Sequence, residues 1–156
     1  MRPLQSWLDE YGESHQNGFN KKVHFICVPL IFFSVLGLLA SIPLPDFYWN
    51  SEGYYFHLGT LALLLGLLFY LRLSYTMFLG ITIFGLLCLE IIQQLHSAGI
   101  SLFISSMVIF VLAWIGQFYG HKVEGKKPSF LKDLQFLLIG PAWIIAFLYK
   151  KIGLRY

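Results

Sequence analysis

The sequence predicts an all-α membrane protein: a helical bundle with four spanning helices, a fifth helix that re-enters the membrane or lies in its interface, and an N-terminal amphipathic helix. Three observations carry that prediction. Of 156 residues, 57% are hydrophobic and only 12% are charged, against about 25% charged in soluble domains. The apolar residues gather in five long runs. Lysine and arginine fall in alternate connections between those runs. A chain of this length makes a single domain, 1–156. A core that small cannot hide so much apolar surface, so lipid must solvate part of it.

The first element, Pro3 to Gln16, reads as the amphipathic helix. Leu4, Leu8, Tyr11 and His15 fall on one face at the 3.6-residue period. Gln5, Asp9, Glu10 and Glu13 take the other side, and Pro3 suits a first turn. Asn17-Gly18 is a stop signal. Asn20 is then placed to cap a new helix from Lys21.

The apolar runs follow. Phe25 to Ile42 is the first, ended by Pro43, Pro45 and Asp46. Tyr55 to Leu71 is the second, and a tight connection at Arg72 leads to the third, Tyr75 to Leu95. Ile100 to Tyr119 is the fourth, followed by a basic loop from His121 to Asp133. A spanning helix needs roughly 20 apolar residues, range about 17–25, which the first four meet or approach. The fifth, Leu134 to Tyr149, is broken by Gly140-Pro141.

Orientation follows from the basic residues. With four crossings, Arg2, Lys21, Lys22, Arg72, Lys122, Lys126, Lys127 and Lys132 share one side, and the opposite loops hold Asp46, Glu52 and Glu90. That puts the N-terminus in the cytosol. A fifth crossing would put Lys150, Lys151 and Arg155 outside. The fifth run is therefore expected to bend at Pro141 and return.

Several classes are excluded. The net charge is +3 and no basic stripe interleaves with exposed aromatics, which argues against nucleic acid. Cys27 and Cys88 lie inside apolar runs with no CxxC and no disulfide framework. The polar N-terminal stretch is not a secretory signal. The serines have no GxSxG context, and Ser105 and Ser106 suit bonds back to helix carbonyls. Asp9 and Glu13 form a solvated face. Gly37, Gly59, Gly66, Gly80, Gly85 and Gly116 are expected to allow close helix approach.

The chemistry rests on histidine. His15 and His24 precede the first run and His121 follows the fourth, so the topology gathers all three on one side. On one straight helix His15 and His24 would be about 180° opposed. A turn at Asn17-Gly18 removes that obstacle by folding the amphipathic helix back. Taken singly, each histidine also reads as a boundary or helix-end residue. Together, three imidazoles with open positions suit a catalytic metal site. Gln117, His121 and Glu124 form a polar stripe. Gln117 or Glu124 would orient a ligating ring or complete the ligand set. Asn20 shares a helix face with His24. His57 and His96 fall on the far side, roughly 30 Å away, and read as interfacial.

Two patterns are familiar as a pair. His15, Asn20 and His24, followed by Pro29, give H-x4-N-x3-H. Trp114, Gln117, Gly120, His121, Glu124 and Pro128 give W-x2-Q-x2-G-H-x2-E-x3-P, extended by Asp133 and Gly140-Pro141. Over about residues 5 to 153 the chain resembles the membrane family typified by the yeast 2-hydroxy fatty acid dioxygenase, formerly a domain of unknown function. Its compact length is similar to that of bacterial members. The resemblance implies an Fe(II)-dependent dioxygenase that performs α-oxidation: a 2-hydroxy fatty acid loses its carboxyl carbon as CO2 and becomes a fatty acid one carbon shorter. It implies His15, His24 and His121 as iron ligands or essential histidines, with Asn20 and Glu124 in support.

The expected partners are therefore Fe2+, O2, a 2-hydroxy fatty acid or related lipid, and membrane lipid. The expected location is a bacterial inner membrane, or the endoplasmic reticulum membrane in a eukaryote, with the metal facing the cytosol. Oligomeric state stays open, a homo-oligomer included. Two-iron hydroxylases and desaturases use about eight histidines in HxxxH and HxxHH boxes, whereas this chain has five histidines and no such box. The competing class is a non-catalytic lipid-binding or transport protein. Transporters usually show inverted repeats and midplane polar residues, and neither is visible here.

Overall fold

The computed structural model describes residues 3–43, 56–125 and 136–156. The turn at Pro45 and Asp46, Glu52, the start of the second run at Tyr55, and the basic loop with Lys126, Lys127, Pro128, Lys132 and Asp133 lie outside the described residues. Among those described there are helices and no strand: α1 Leu4–Glu13, α2 Gly18–Ala40, α3 Leu58–Leu73, α4 Tyr75–Ser97, α5 Leu102–Glu124 and α6 Ile139–Lys151.

Local chemistry explains the boundaries. Asn17, not Asn20, caps α2: its backbone is extended, and its side chain accepts from the N–H groups of Phe19 and Asn20. The helix therefore starts three residues earlier than expected, which leaves the Asn20 amide free for another task. Ser74 alone separates α3 from α4 and caps the latter through Met77 N–H. Ser101 caps α5, and Gly125 closes it at φ 74°, a left-handed conformation that glycine adopts without steric cost.

Three helices are long and apolar enough to cross a membrane: α2, α4 and α5, each of 23 residues. α3 has 16 residues, a length of about 24 Å, and α6 has 13. The expected four full spans are thus three long helices and a shorter one. The expected bend at Pro141 is also corrected. Pro141 is the third residue of α6, where it lacks no intrahelical bond.

Helices α2 to α5 run up and down. Small residues set the α2–α5 seam. Gly37 faces Ser106 at one end and Gly120 faces Asn20 at the other. Between them a Cβ on Gly116 would lie 2.7 Å from Cys27 Sγ. Absent side chains let the two backbones approach, the packing that serves helices in lipid. Gly66 differs from the other expected glycines: a Cβ there would make an ordinary 3.6 Å contact with Leu138.

α1 folds back beside the start of α2 and packs on α6. Leu4, Leu8 and Tyr11 are buried, while Gln5, Asp9 and Glu13 face outward. Tyr11 meets Phe136 and Trp143, with ring centroids 5.5 and 5.6 Å away. The last turn of α6 lies beside the first turn of α4, where Tyr149 OH donates to Thr76 O at 2.8 Å. Leu61, Leu65, Leu68, Ile83, Leu87, Ile104, Val108 and Leu112 are exposed, an apolar outer surface that suits lipid.

Candidate metal centre

The three histidines arrive from three helical elements. His15 lies just past the end of α1, His24 in the second turn of α2, and His121 in the last turn of α5. Their exposures are 2%, 1% and 4%. Ring centroids are 4.1 Å apart for His15 and His24, 4.9 Å for His24 and His121, and 5.3 Å for His15 and His121. One ring nitrogen from each lies within 4.8 Å of the others. Ligand nitrogens about 2.0–2.1 Å from one ion sit roughly 3–3.5 Å apart, so an inward movement on the order of an ångström would close the set around a cation.

Hydrogen bonds fix the imidazoles in a form that suits a metal. His15 Nδ1 donates to Tyr11 O at 2.6 Å, and His24 Nδ1 donates to Asn20 O at 3.0 Å. A carbonyl only accepts, so Nδ1 is the donor in both rings, and the neutral form of each then keeps its lone pair on Nε2. Both partners are four residues back along the chain. The pairing is thus a local consequence of helical geometry, and it is the outer support that metal-bound histidines ordinarily have. Tyr11 also stacks on His15, with centroids 4.3 Å apart. Trp143 packs on the same imidazole at 5.6 Å.

A polar latch holds the His15 segment against α5. The Glu124 carboxylate accepts from Gln16 N–H at 2.8 Å, Asn17 N–H at 2.9 Å and Asn20 Nδ2 at 3.0 Å. The Asn20 amide also donates to Ser14 O at 3.2 Å. Asn20 is fully buried and so ties the end of α1 to the end of α5. Three donors around one carboxylate favour its ionised form.

His15, His24 and His121 meet. Asn20 and Glu124 meet one another in the latch, and the cluster of ligand atoms is formed by the three histidines without Glu124. Gln117 lies one turn from His121 on the inner side, lining a cavity beside His24. His57 and His96 interact with each other at the far end. There His57 is buried, and its Nδ1 accepts from Thr60 N–H at 3.1 Å and so caps α3. Tyr11 and Trp143 went unnoticed as supports for His15. Tyr11's place four residues before His15 on the buried stripe was the available signal.

Three imidazole donors, two of them held by backbone carbonyls, with no carboxylate among them, fit a divalent transition metal with open positions. The helices around them are those of a membrane protein. No curated protein and no solved structure matches the chain. A family match covers residues 1–152. The chain belongs to the family described as 2-hydroxy-palmitic acid dioxygenase Mpo1-like.

Proposed function

We propose that the protein is a non-haem Fe(II) dioxygenase that shortens 2-hydroxy fatty acids by one carbon with release of CO2. The observation that carries this reading is the meeting of His15, His24 and His121 in one buried group, within a chain of this family.

The reaction balances without an outside reductant. R–CH(OH)–COOH and O2 give R–COOH, CO2 and H2O. Carbon 2 gives up three electrons and carbon 1 gives up one, and the four reduce O2 to the oxidation level of water. The bond between carbons 1 and 2 breaks. Bound iron would supply the O2 activation that the spin-forbidden reaction needs.

The chain's own residues supply the rest. His15, His24 and His121 would hold the metal through three neutral nitrogens. The backbone carbonyls of Tyr11 and Asn20 orient two of the rings. Glu124 and Asn20 keep His15 in place. Burial of all three imidazoles excludes bulk water from the reacting oxygens. Lys21, Lys22, Arg72, Lys122, Lys150 and Lys151 lie toward this end of the bundle, which supports a site facing the cytosol.

Anaerobic purification with metal quantification, then O2 uptake with 2-hydroxy acids of varied chain length, tests the reading. Equal yields of CO2 and shortened acid are expected from the iron-loaded protein. Iron-loaded protein that consumes no O2 with any such acid would overturn it.

A further inference from the structure

A small cavity lies immediately inside the metal centre. Its volume is about 30 Å³, and its walls include His24, Val28, Ile31, Trp114, Gln117 and Leu137. Two helical stripes build it. Val28 and Ile31 follow His24 at i+4 and i+7 on α2, and Trp114 and Gln117 precede His121 at i−7 and i−4 on α5. The cavity therefore begins one turn below two of the three histidines and points into the bundle. It has room for about two waters. That suits a small polar group or the first carbons of a chain, not a whole acyl tail.

Gln117 is the amide side chain that lines this space. It is 7% exposed, and among the described residues its amide has no hydrogen-bond partner. Asn20 spends its amide hydrogens on Ser14 and Glu124, and no such bond occupies Gln117. An amide that lines a cavity next to the candidate metal centre is placed to meet a ligand with matching hydrogen-bonding groups.

We infer that this cavity is the subsite for the oxygen-bearing end of the substrate, and that Gln117 selects a 2-hydroxy acid over an unsubstituted one. The inference rests on the dioxygenase reading above. A 2-hydroxy acid whose oxygen lone pairs would meet the metal that the three imidazoles would hold still has a hydroxyl hydrogen to donate. Gln117 Oε1 accepts it, one turn from His121. The methylenes next to carbon 2 then lie against Val28, Ile31 and Leu137. An acid without the hydroxyl leaves the amide buried and unpaired, the asymmetry through which a polar site discriminates best.

The test is equilibrium binding of 2-hydroxypalmitic and palmitic acids to the iron-loaded protein without O2, with iron content and thermal unfolding followed in parallel. The wild type is expected to prefer the hydroxy acid by about tenfold. Gln117→Met, which keeps length and volume, is expected to abolish that preference while leaving iron content and palmitate binding unchanged. Gln117→Asn, with an amide of shorter reach, should be intermediate. Equal binding of both acids by the wild type, or a preference that persists in Gln117→Met, would overturn the inference. Loss of iron or of folding in both variants would overturn it too, since Gln117 would then be structural. A wild type that prefers the hydroxy acid yet consumes no O2 defeats the dioxygenase reading and leaves the subsite standing.

Discussion

Asn20 Nδ2 donates to Glu124 Oε2 at 3.0 Å, across 104 positions of sequence. The bond joins the first turn of α2 to the last residue of α5. With the two backbone donors of Gln16 and Asn17 on the same carboxylate, it turns the α1–α2 connection into a docked arm that carries His15. The metal centre therefore depends on a contact whose atoms are not ligands in the histidine cluster.

Glu124→Ala is expected to weaken metal binding without removing a ligand. Three donors lose their acceptor, and the arm that bears His15 loses its anchor on α5. Loss of an outer partner typically costs about 10–100-fold in metal affinity. Glu124→Gln should recover part of that loss, since one oxygen remains but its amide hydrogens face the donors. Cobalt(II) titration of the metal-free protein, read by its visible absorption, checks both variants. Unchanged affinity in Glu124→Ala would reduce the latch to a surface contact.

The five histidines should separate into two groups. His15→Ala, His24→Ala and His121→Ala each remove one nitrogen from a three-nitrogen set, and each should lower metal affinity by more than the roughly 10–100-fold cost of an outer partner. His96→Ala should leave metal content at the wild-type level. His57→Ala should also keep the metal, but lose the cap on α3 at a cost of about 1 kcal/mol. Metal quantification and thermal unfolding of the five purified variants distinguish the groups. Retention of full metal by His121→Ala would disprove the three-histidine centre.

Much of this site was legible in the sequence because its parts are local. The buried stripe of Leu4, Leu8, Tyr11 and His15 follows helical period, and the Asn17-Gly18 break explains how His15 turns back to His24. The latch was not legible. The partners of Glu124 include two backbone N–H groups more than 100 residues away, and a backbone donor leaves no trace in residue type. The capping role of Asn17 was missed because Asn17 and Asn20 are chemically equivalent, and only the backbone decides which one lies outside the helix. The cap that His57 places on α3 was not legible for a similar reason, since a histidine that caps a helix reads the same as any other at a helix end. The start of α3 was not legible either: its apolar run begins before the helix does, and Phe56 and His57 precede the first helical residue, Leu58.

The α2–α5 seam gives a stability test outside the metal chemistry. A Cβ on Gly120 would press on the Asn20 Oδ1 atom and on Val23, so Gly120→Ala is expected to destabilise by about 1–3 kcal/mol through overpacking. It should also disturb the latch. Gly66→Ala is the contrast: it adds only an ordinary contact and removes a helix-interior glycine, so it should be neutral or stabilising by up to about 1 kcal/mol. Thermal unfolding in detergent compares them. Equal effects would mean that the seam is looser than its glycines indicate.

Removing the metal should loosen the arm before it loosens the bundle. The helices α2, α4 and α5 are tied by apolar packing and seam contacts that involve no ligand, whereas α1 reaches the centre through His15. A ligand that binds only the folded state stabilises it by RT ln(1 + [L]/Kd), about 2.7 kcal/mol at a hundredfold excess over Kd. Treatment with a chelator is therefore expected to lower the unfolding temperature and to raise hydrogen exchange first at Ser14 to Asn20. Exchange in the middle of α4 should change little. Fe(II) added back without O2 should reverse both effects, and the His15→Ala variant should show neither response to chelator nor recovery on addition of metal. Uniform loosening of all helices would instead place the metal's contribution in the bundle as a whole, and would remove the basis for treating α1 as a docked arm.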